Sequence, residues 1–528
     1  MRAVLAGMAW ALGALASSVA VAQAPALELD AALVPLAEKE APALLATLRD
    51  LTAFDSGTGQ GEGLDSVANH VVTFARSIGG EVEHVKPEND VAGTNLVITF
   101  KGTGTRRILL IAHMDTVYPA GTAAARPLRI QGNRALAPGI ADDKSGVAVF
   151  LHAMKLLKAR GFADYERVTM VFNTDEERGS SGSRDLIRSQ ARAHDAVLSG
   201  EPTGGDEGIV LGTSGVGQLV VRVQAGAGAH AIEELADVIL RTADAQDDVA
   251  QTRMNWTVMR AEDPAGLEGL PAMAFDFATL SFSVKGRASH AGVAPSLGVN
   301  AVVEAADIVR RVSAAAAAMP GVKLHWRIAG GGVVPNIIPE RAQVVAEVAV
   351  ARNEDLRPVV EKLAVAGARG LLSGAEITAE SSMGLPGKSA SGGQAFASAD
   401  QRVPDAQAYA SLVRAVREKI ARQKFEASAI TMQDGLFFPA FNANVQGREL
   451  AQLARAINEK LGGQMSLYGR TYSGTDAAWA AQSGRPVLES MGLPGGNYHS
   501  SDEEFILIDR IPRRLALVAE MIRALARR

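Results

Sequence analysis

Two patterns divide this sequence, and the order in which they occur constrains the fold most. From about residue 28 to 217, short apolar runs alternate with helical stretches. ILLIAH (108–113), VTMVFNTD (168–175) and DAVLSG (195–200) read as buried strands, and KSGVAVFLHAMKLLKAR (144–160) reads as the helix between two of them. That alternation predicts an α/β sheet with crossover helices. From about 439 onward the same style returns. RELAQLARAINEKLGG (448–463) is an amphipathic helix closed by glycines, and RIPRRLALVAEMIRALARR (510–528) is a terminal helix.

The interrupting segment, about 218–438, carries an internal echo. AIEELADVILRT (231–242) matches AVVEAADIVRRV (301–312), and the offset of 70 holds without gaps to Trp256 and Trp326. A second echo, offset by 53, pairs ADQRVPDAQAY (399–409) with AEVAVARNEDL (346–356). The expected arrangement is one β-α-β half at 218–262, its completion at 384–438, and a whole second copy at about 274–383 between them.

The chain opens MRAVLAGMAWALGALASSVAVAQAPA. Arg2, the apolar run and the small-x-small site Ala20-Val21-Ala22 form a leader pattern, with cleavage expected before Gln23. No later stretch reaches the roughly 18 apolar residues that would span a bilayer. The mature protein is therefore expected in the periplasm or secreted, with no membrane association. The chain has no cysteine. That removes disulfides, thiolate ligands and cysteine nucleophiles, so any metal must be held by His, Asp and Glu. A net charge of −5 without a basic block argues against nucleic acid as a partner.

Acidic and imidazole groups gather at the ends of the expected strands. LLIAHMDT places His113 and Asp115 on one face of a strand end, where a carboxylate can orient a ligating imidazole. APGIADDKSG puts Asp142 in a turn before a helix; TDEERGSSGS supplies Glu176 and Glu177; SGEPTG supplies Glu201; GLPGGNYHSSDEEF supplies His499. Open α/β sheets bind ligands at the carboxyl ends of their strands. Two imidazoles with several carboxylates suit a pair of Zn²⁺ ions. His70, His84, His152, His194 and His325 read as surface or packing histidines.

Taken in order, HMDT, GIADDKSG, TDEERGS, SGEPT and LPGGNYHS resemble the motifs of the M20 metallopeptidases, most closely the glutamate carboxypeptidase branch. The resemblance covers nearly the whole mature chain. It implies an α/β catalytic domain with a mixed sheet and flanking helices, formed by residues 23–217 and 439–528. The inserted α+β lid would be 218–438. It implies that Asp142 bridges two Zn²⁺ ions, that His113 and Glu201 complete one ligand set, and that Glu177 and His499 complete the other. Glu176 would be the general base, with Asp115 holding His113. A lid histidine that stabilises the oxyanion maps to His290, the lid asparagine to Asn336, and the arginine that grips a substrate carboxylate to Arg402. Gly474, Thr475 and Asp476 match a loop on the substrate side.

The two lid copies have complementary losses. The inner copy holds His290 and Asn336, but Ala349 stands where Arg402 aligns. The outer copy holds Arg402 without the histidine loop, and His230 aligns with Asn300. In dimeric family members the lid His and Asn come from the neighbouring subunit. Set beside that resemblance, the complementary losses predict a monomer in which the inner copy replaces the partner's lid; the alternative is an insertion that decorates the usual homodimer. The expected activity is release of a C-terminal amino acid, glutamate above others, from small peptidyl or N-acyl substrates. The alternatives are a dipeptidase or N-acyl-amino-acid deacylase on the same centre, a non-catalytic periplasmic ligand-binding homologue, and an aminopeptidase on a related dinuclear fold. Arg402 speaks against the last, and the complete ligand set with Glu176 speaks against the binding homologue.

Overall fold

The computed structural model describes residues 28–226, 229–247, 249–262, 267, 270–271, 273–292, 295–384, 394–499 and 503–528. The leader expected over 1–22 lies outside the described residues. None of the described helices is long and apolar enough to cross a membrane.

The first layer is a sheet built from β1 (Glu81–Val85), β2 (Asn95–Lys101), β3 (Arg107–His113), β4 (Arg167–Asn173) and β5 (Ala196–Ser199). Its order is β1-β2-β4-β3-β5, closed by the short strand Val487–Leu488. β3 runs parallel to β4 and β5, whereas β1 and β2 are antiparallel, so the sheet is mixed. Every residue of β3 from Ile108 to His113 is buried, as strands covered on both faces require. Helices α1 (Leu33–Thr52) and α2 (Lys144–Ala159) and the C-terminal helix Ile511–Ala526 share one apolar core with it. α2 starts at Asp143, whose carboxylate accepts the Gly146 N–H. The helix expected to begin at Arg448 starts earlier, at Val445, because Asn444 caps it through the Gly447 N–H.

The second layer is an eight-stranded antiparallel sheet. Its first strands, from the outer copy, are β6 (Gly215–Ala225) and β7 (Arg253–Glu262). The inner ones follow as β8 (Phe275–Lys285), β9 (Lys323–Gly331), β10 (Arg341–Ala351) and β11 (Glu376–Met383). The chain then returns to the outer half with β12 (Gln394–Val403) and β13 (Ser428–Phe438). The order is β11-β8-β10-β9-β7-β12-β6-β13. Read outward from the β9/β7 seam, the two halves repeat one β-α-β-β-α-β topology with opposite sense. The seam is a short antiparallel ladder, Met259–Glu262 against Ile328–Gly331. Beside it pack the helices α3 (Ala231–Thr242) and α4 (Ala301–Ala317), one from each half.

The repeat extends to individual interactions. The ladder of β7 slips between Trp256 and Val258, and that of β9 between Trp326 and Ile328. Buried Glu234 accepts the N–H groups of Lys424 and Phe425 and faces Arg241. Buried Glu304 accepts those of Leu371 and Leu372 and faces Arg311. Each carboxylate, itself buried, is thus paired with two main-chain donors and an arginine, which offsets the cost of burying its charge. Glu304→Ala should lower stability by roughly 2–3 kcal/mol in denaturant titration, because the Leu371 and Leu372 N–H groups lose a charged acceptor while Arg311 keeps Asp307.

Candidate metal centre

The parallel order of β4, β3 and β5 brings three strand ends side by side, and the centre is built there. His113 is the last residue of β3, and Asp115 follows it. β4 ends at Asn173 and leads into the turn that carries Glu176 and Glu177. Glu201 follows β5, Asp142 precedes α2, and His499 approaches from the loop after the short strand Gly495–Gly496. Asp142 sits in the middle. Its Oδ1 lies 3.1 Å from His113 Nε2 and its Oδ2 lies 3.1 Å from His499 Nε2. Glu201 is 3.8 Å from His113 Nε2, Glu177 is 3.2 Å from His499 Nε2, and Glu176 is 3.9 Å from His113 Nε2. Two ligand triads result, His113–Asp142–Glu201 and Asp142–Glu177–His499, each with its donor atoms within 4.8 Å of one another.

The lid's own residues reach this centre within one chain. The His290 ring stacks on His499, with ring centres 5.1 Å apart. The Gly292 N–H donates to His290 Nδ1 at 3.0 Å, so in the neutral ring the proton sits on Nε2. Burial first, then the charges of His499 and Arg402, holds His290 well below the usual imidazole range, which keeps it neutral. Asn336 accepts the Ala291 N–H through its main-chain oxygen, and its side-chain Oδ1 is buried with no hydrogen-bond partner among the described residues. Arg402 is buried, bonded through Nε and Nη2 to the two oxygens of Asp400 and through Nη1 to Tyr472 O. A Cβ on Gly292 would lie 2.7 Å from Arg402 Nε, so only glycine lets the histidine turn close against this guanidinium.

Two comparisons bear on this geometry. Residues 109–524 match the family described as peptidase family M20/M25/M40. The chain is also 35% identical over 509 residues to carboxypeptidase G2 of Pseudomonas sp. (strain RS-16), covering 96% of this chain and 95% of the relative. The chain belongs to peptidase family M20. Solved structures share the fold. The M20 metallo-carboxypeptidase Sso-CP2 of Sulfolobus solfataricus is 14% identical with a TM-score of 0.53, covering 92% of this chain and 99% of that one. Human carnosine dipeptidase 1 is 12% identical with a TM-score of 0.52, covering 94% and 99%.

M20 peptidases are metal-dependent, and the donor set here fits cations. Asp142, Glu176, Glu177 and Glu201 converge on only two imidazoles, an excess of buried negative charge that must be neutralised. Glu177 Oε1 is buried without a hydrogen-bond partner among the described residues. Burial, then the charges of Asp142 and Glu176, holds the Glu201 carboxyl well above its usual range. Burial, then Asp142, raises Glu177. Burial, then the charges of Asp476 and Glu177, raises Glu176. Burial opposes charge on His113, but its bonds to Asp115 and Asp142 and the charge of Glu176 outweigh it and raise its pKa well. The metal-free centre therefore stores protons that cations displace.

Supporting contacts of this M20 centre were legible in the sequence only in part. Asp115 was, and it does more than hold His113. The imidazole Nδ1 donates to the Asp115 main-chain oxygen at 3.0 Å and lies 3.3 Å from its carboxylate, which leaves Nε2 to face the ligand position. The Asp115 carboxylate also accepts the N–H groups of Glu176 and Glu177 and the Thr58 hydroxyl. Glu504 escaped sequence reading altogether. It is buried and accepts the Tyr118 hydroxyl and the N–H groups of Gly139, Ala141 and Asp142, fixing the loop that presents Asp142. The acidic run just after His499 was its only signal. In the 474–476 loop, Asp476 accepts from Asn173 Nδ2 and from the Ser180 hydroxyl, bracing the Glu176 turn. Thr475 is buried, and its hydroxyl accepts the Ala477 N–H. A Cβ on Gly474 would lie 2.7 Å from the Phe438 ring. The contacts of this loop are thus internal ones. His152 bonds Thr47 and Glu40, and His194 bonds the Gln190 carbonyl and Thr169, all outside the centre.

Two outcomes follow for the metal-free protein. Burial pushes Asp476, Glu489 and Glu504 up to about 7. The folded state then binds more protons than the unfolded chain up to that pH, so stability falls as pH rises through it. Raised His113 and His499 act with the same sign, while the lowered His152 and His194 oppose it only below their unfolded value of about 6.5. Calorimetry of chelated protein should show a lower Tm at about pH 8 than at about pH 6.5. Zinc titration should release protons, read as a binding enthalpy that changes with the ionisation enthalpy of the buffer.

Proposed function

We propose that the protein is a zinc metallo-carboxypeptidase that hydrolyses the amide bond before a C-terminal amino acid, with glutamate as the preferred leaving residue. The observation that carries this reading is the joint placement of the two triads sharing Asp142, Glu176 beside them, and Arg402 next to the lid histidine. The carboxypeptidase named among its relatives, matched over nearly its full length, supports it.

His113, Asp142 and Glu201 would hold one Zn²⁺, and Asp142, Glu177 and His499 the other. Bound there, the ions would supply an acidified water and a Lewis-acid hold on the scissile carbonyl. Glu176, 3.9 Å from His113 and ionised once cations replace its proton, would take the proton of the attacking water and return it to the leaving nitrogen. His290 presents a neutral Nε2–H to the oxygen that becomes negatively charged. The planar fork of Arg402, preset by Asp400, pairs with the substrate's terminal carboxylate. Asn336 offers its unpartnered Oδ1 to the substrate amide, and Gly474 would stand on the substrate side with Thr475 buried behind it.

Export by the leader would place the enzyme in the periplasm or outside the cell, and N-terminal sequencing of the exported form should begin at Gln23. A monomer is the reading for the quaternary state, supported by the β9/β7 seam and by the stacking of His290 on His499 within one chain. Light scattering after size exclusion should give the mass of one chain; a dimer that loses activity on dissociation would overturn this.

A panel of N-acyl-glutamate, N-acyl-alanine, dipeptides and tripeptides, run with zinc and with chelator, tests the activity. Glutamate release from the acylated substrate should exceed the others and vanish with chelator. Faster dipeptide cleavage would instead favour the dipeptidase reading, consistent with a lid closed down to the imidazoles. Glu176→Gln should reduce kcat by at least about a hundredfold with zinc content unchanged.

A further inference from the structure

His290 belongs to the inner half of the lid, but the backbone around it is held from both halves. In the turn Ser289–Gly292, Ser289 and His290 pair with Ile338 and Ile337, the Gly292 N–H donates to His290 Nδ1 and the Ala291 N–H donates to Asn336 O, all within the inner half. Among the described residues, two further hydrogen bonds come from the outer half. Asn255 Nδ2 donates to Ala291 O at 3.0 Å, and Arg253 Nη1 donates to Gly292 O at 2.5 Å. Arg253 and Asn255 are two residues apart on β7, so both side chains leave the same face of the strand.

Arg253 also reaches beyond the lid. Its guanidinium lies 3.5 Å from the centre of the Tyr472 ring, a cation–π contact with the catalytic part of the chain. Across the ladder its register partner is Arg402, which is itself bonded to Tyr472 O. One side chain therefore ties the histidine turn to the wall beside the carboxylate-binding arginine.

The two lid copies differ at these positions as they differ at His290 and Arg402. The offset of 70 puts Lys323 and His325 where the outer copy has Arg253 and Asn255. Lys323 is exposed, and His325 packs edge-on against His230. The Arg–Asn pair is present in the one copy that faces a histidine turn, and absent from the copy that does not.

We propose that Arg253 and Asn255 are positioning residues that lock the Ser289–Gly292 turn so that His290 Nε2–H is held over the metal centre. The inference rests on the oxyanion role assigned to His290 above. In a lid made of two joined halves, the hold on the histidine comes from the other half of the same chain, so closure needs no second subunit. The geometry calls for a side chain with Arg253's length and fork: it must reach a carbonyl while its plane stays on Tyr472, which a lysine ammonium does poorly.

The test uses the zinc-loaded full chain with Arg253→Met, Arg253→Lys and Asn255→Ala, each alone and combined with His290→Ala. In the single variants kcat should fall about ten- to hundredfold with KM little changed, and Arg253→Lys should lie between Arg253→Met and the parent. On the His290→Ala background the same substitutions should cost almost nothing further, because their effect runs through that imidazole. Amide exchange at Ala291 and Gly292 should quicken about tenfold or more in the variants. Losses that multiply with His290→Ala, or exchange unchanged in both the Arg253 and Asn255 variants, would overturn the proposal. If Arg253→Met does not fold, Asn255→Ala carries the same cycle alone. Should the parent enzyme release no amino acid from any acyl or peptidyl substrate, the functional reading fails; the exchange measurement still decides whether the turn is locked.

Discussion

Asp142 lies between two imidazoles, one oxygen 3.1 Å from each, and the architecture around it exists to hold that carboxylate in place and ionised. Burial works against its charge, but the bonds from His113 and His499 hold its pKa well below the usual carboxylate range. Glu176 and Glu201 are helped by His113 and Glu177 chiefly by His499, but burial with the neighbouring carboxylates outweighs that help and pushes them upward. That asymmetry is a description of a cation site. The shared group is the one held in its charged form, and its neighbours become charged when cations arrive to replace protons.

Holding Asp142 requires elements far apart in the chain. Glu504, near the C-terminus, accepts the N–H of Asp142 itself and of Ala141 and Gly139. Asp115, after β3, fixes the turn carrying Glu176 and Glu177. Asp476, after the lid, braces that same turn from behind through Ser180. A metal centre assembled from loops would be loose. Here the backbones of His113, Asp142 and Glu177 are each bonded to a buried carboxylate outside the ligand set, and the loops inherit the rigidity of the parallel strands they follow.

The lid solves a different problem. Half of the sheet bears the arginine and the other half bears the histidine, and they meet because β7 and β9 pair at the centre of one continuous sheet. The copies have diverged where divergence is free. Glu347 stands in the place of Asp400, and without the arginine it turns to Arg327 instead. Asn300 caps α4 and reaches the Trp256 carbonyl, whereas His230 at the equivalent position makes no side-chain cap. The elements both copies need for packing, the tryptophans with their bulges and the Glu234 and Glu304 caps, are retained.

What the sequence determined by itself was local or periodic. The strand ends, the ligand types, the order of the motifs and the echo at an offset of 70 are all written in short windows, because burial alternation, helix caps and metal preference act on neighbouring residues. Asp115 was readable for the same reason, lying two residues from the histidine it serves. Glu504, Asn255, Arg253 and Tyr472 were not, since each acts on a partner tens to hundreds of positions away and no spacing encodes such a meeting. Nor could the sequence say which face of each copy turns inward. Only the pairing of β7 with β9 sets the histidine turn of one half against Arg402 of the other, because a ladder between two edge strands is set by long-range register and by the helices packed behind it, neither of which leaves a mark in any single stretch of chain.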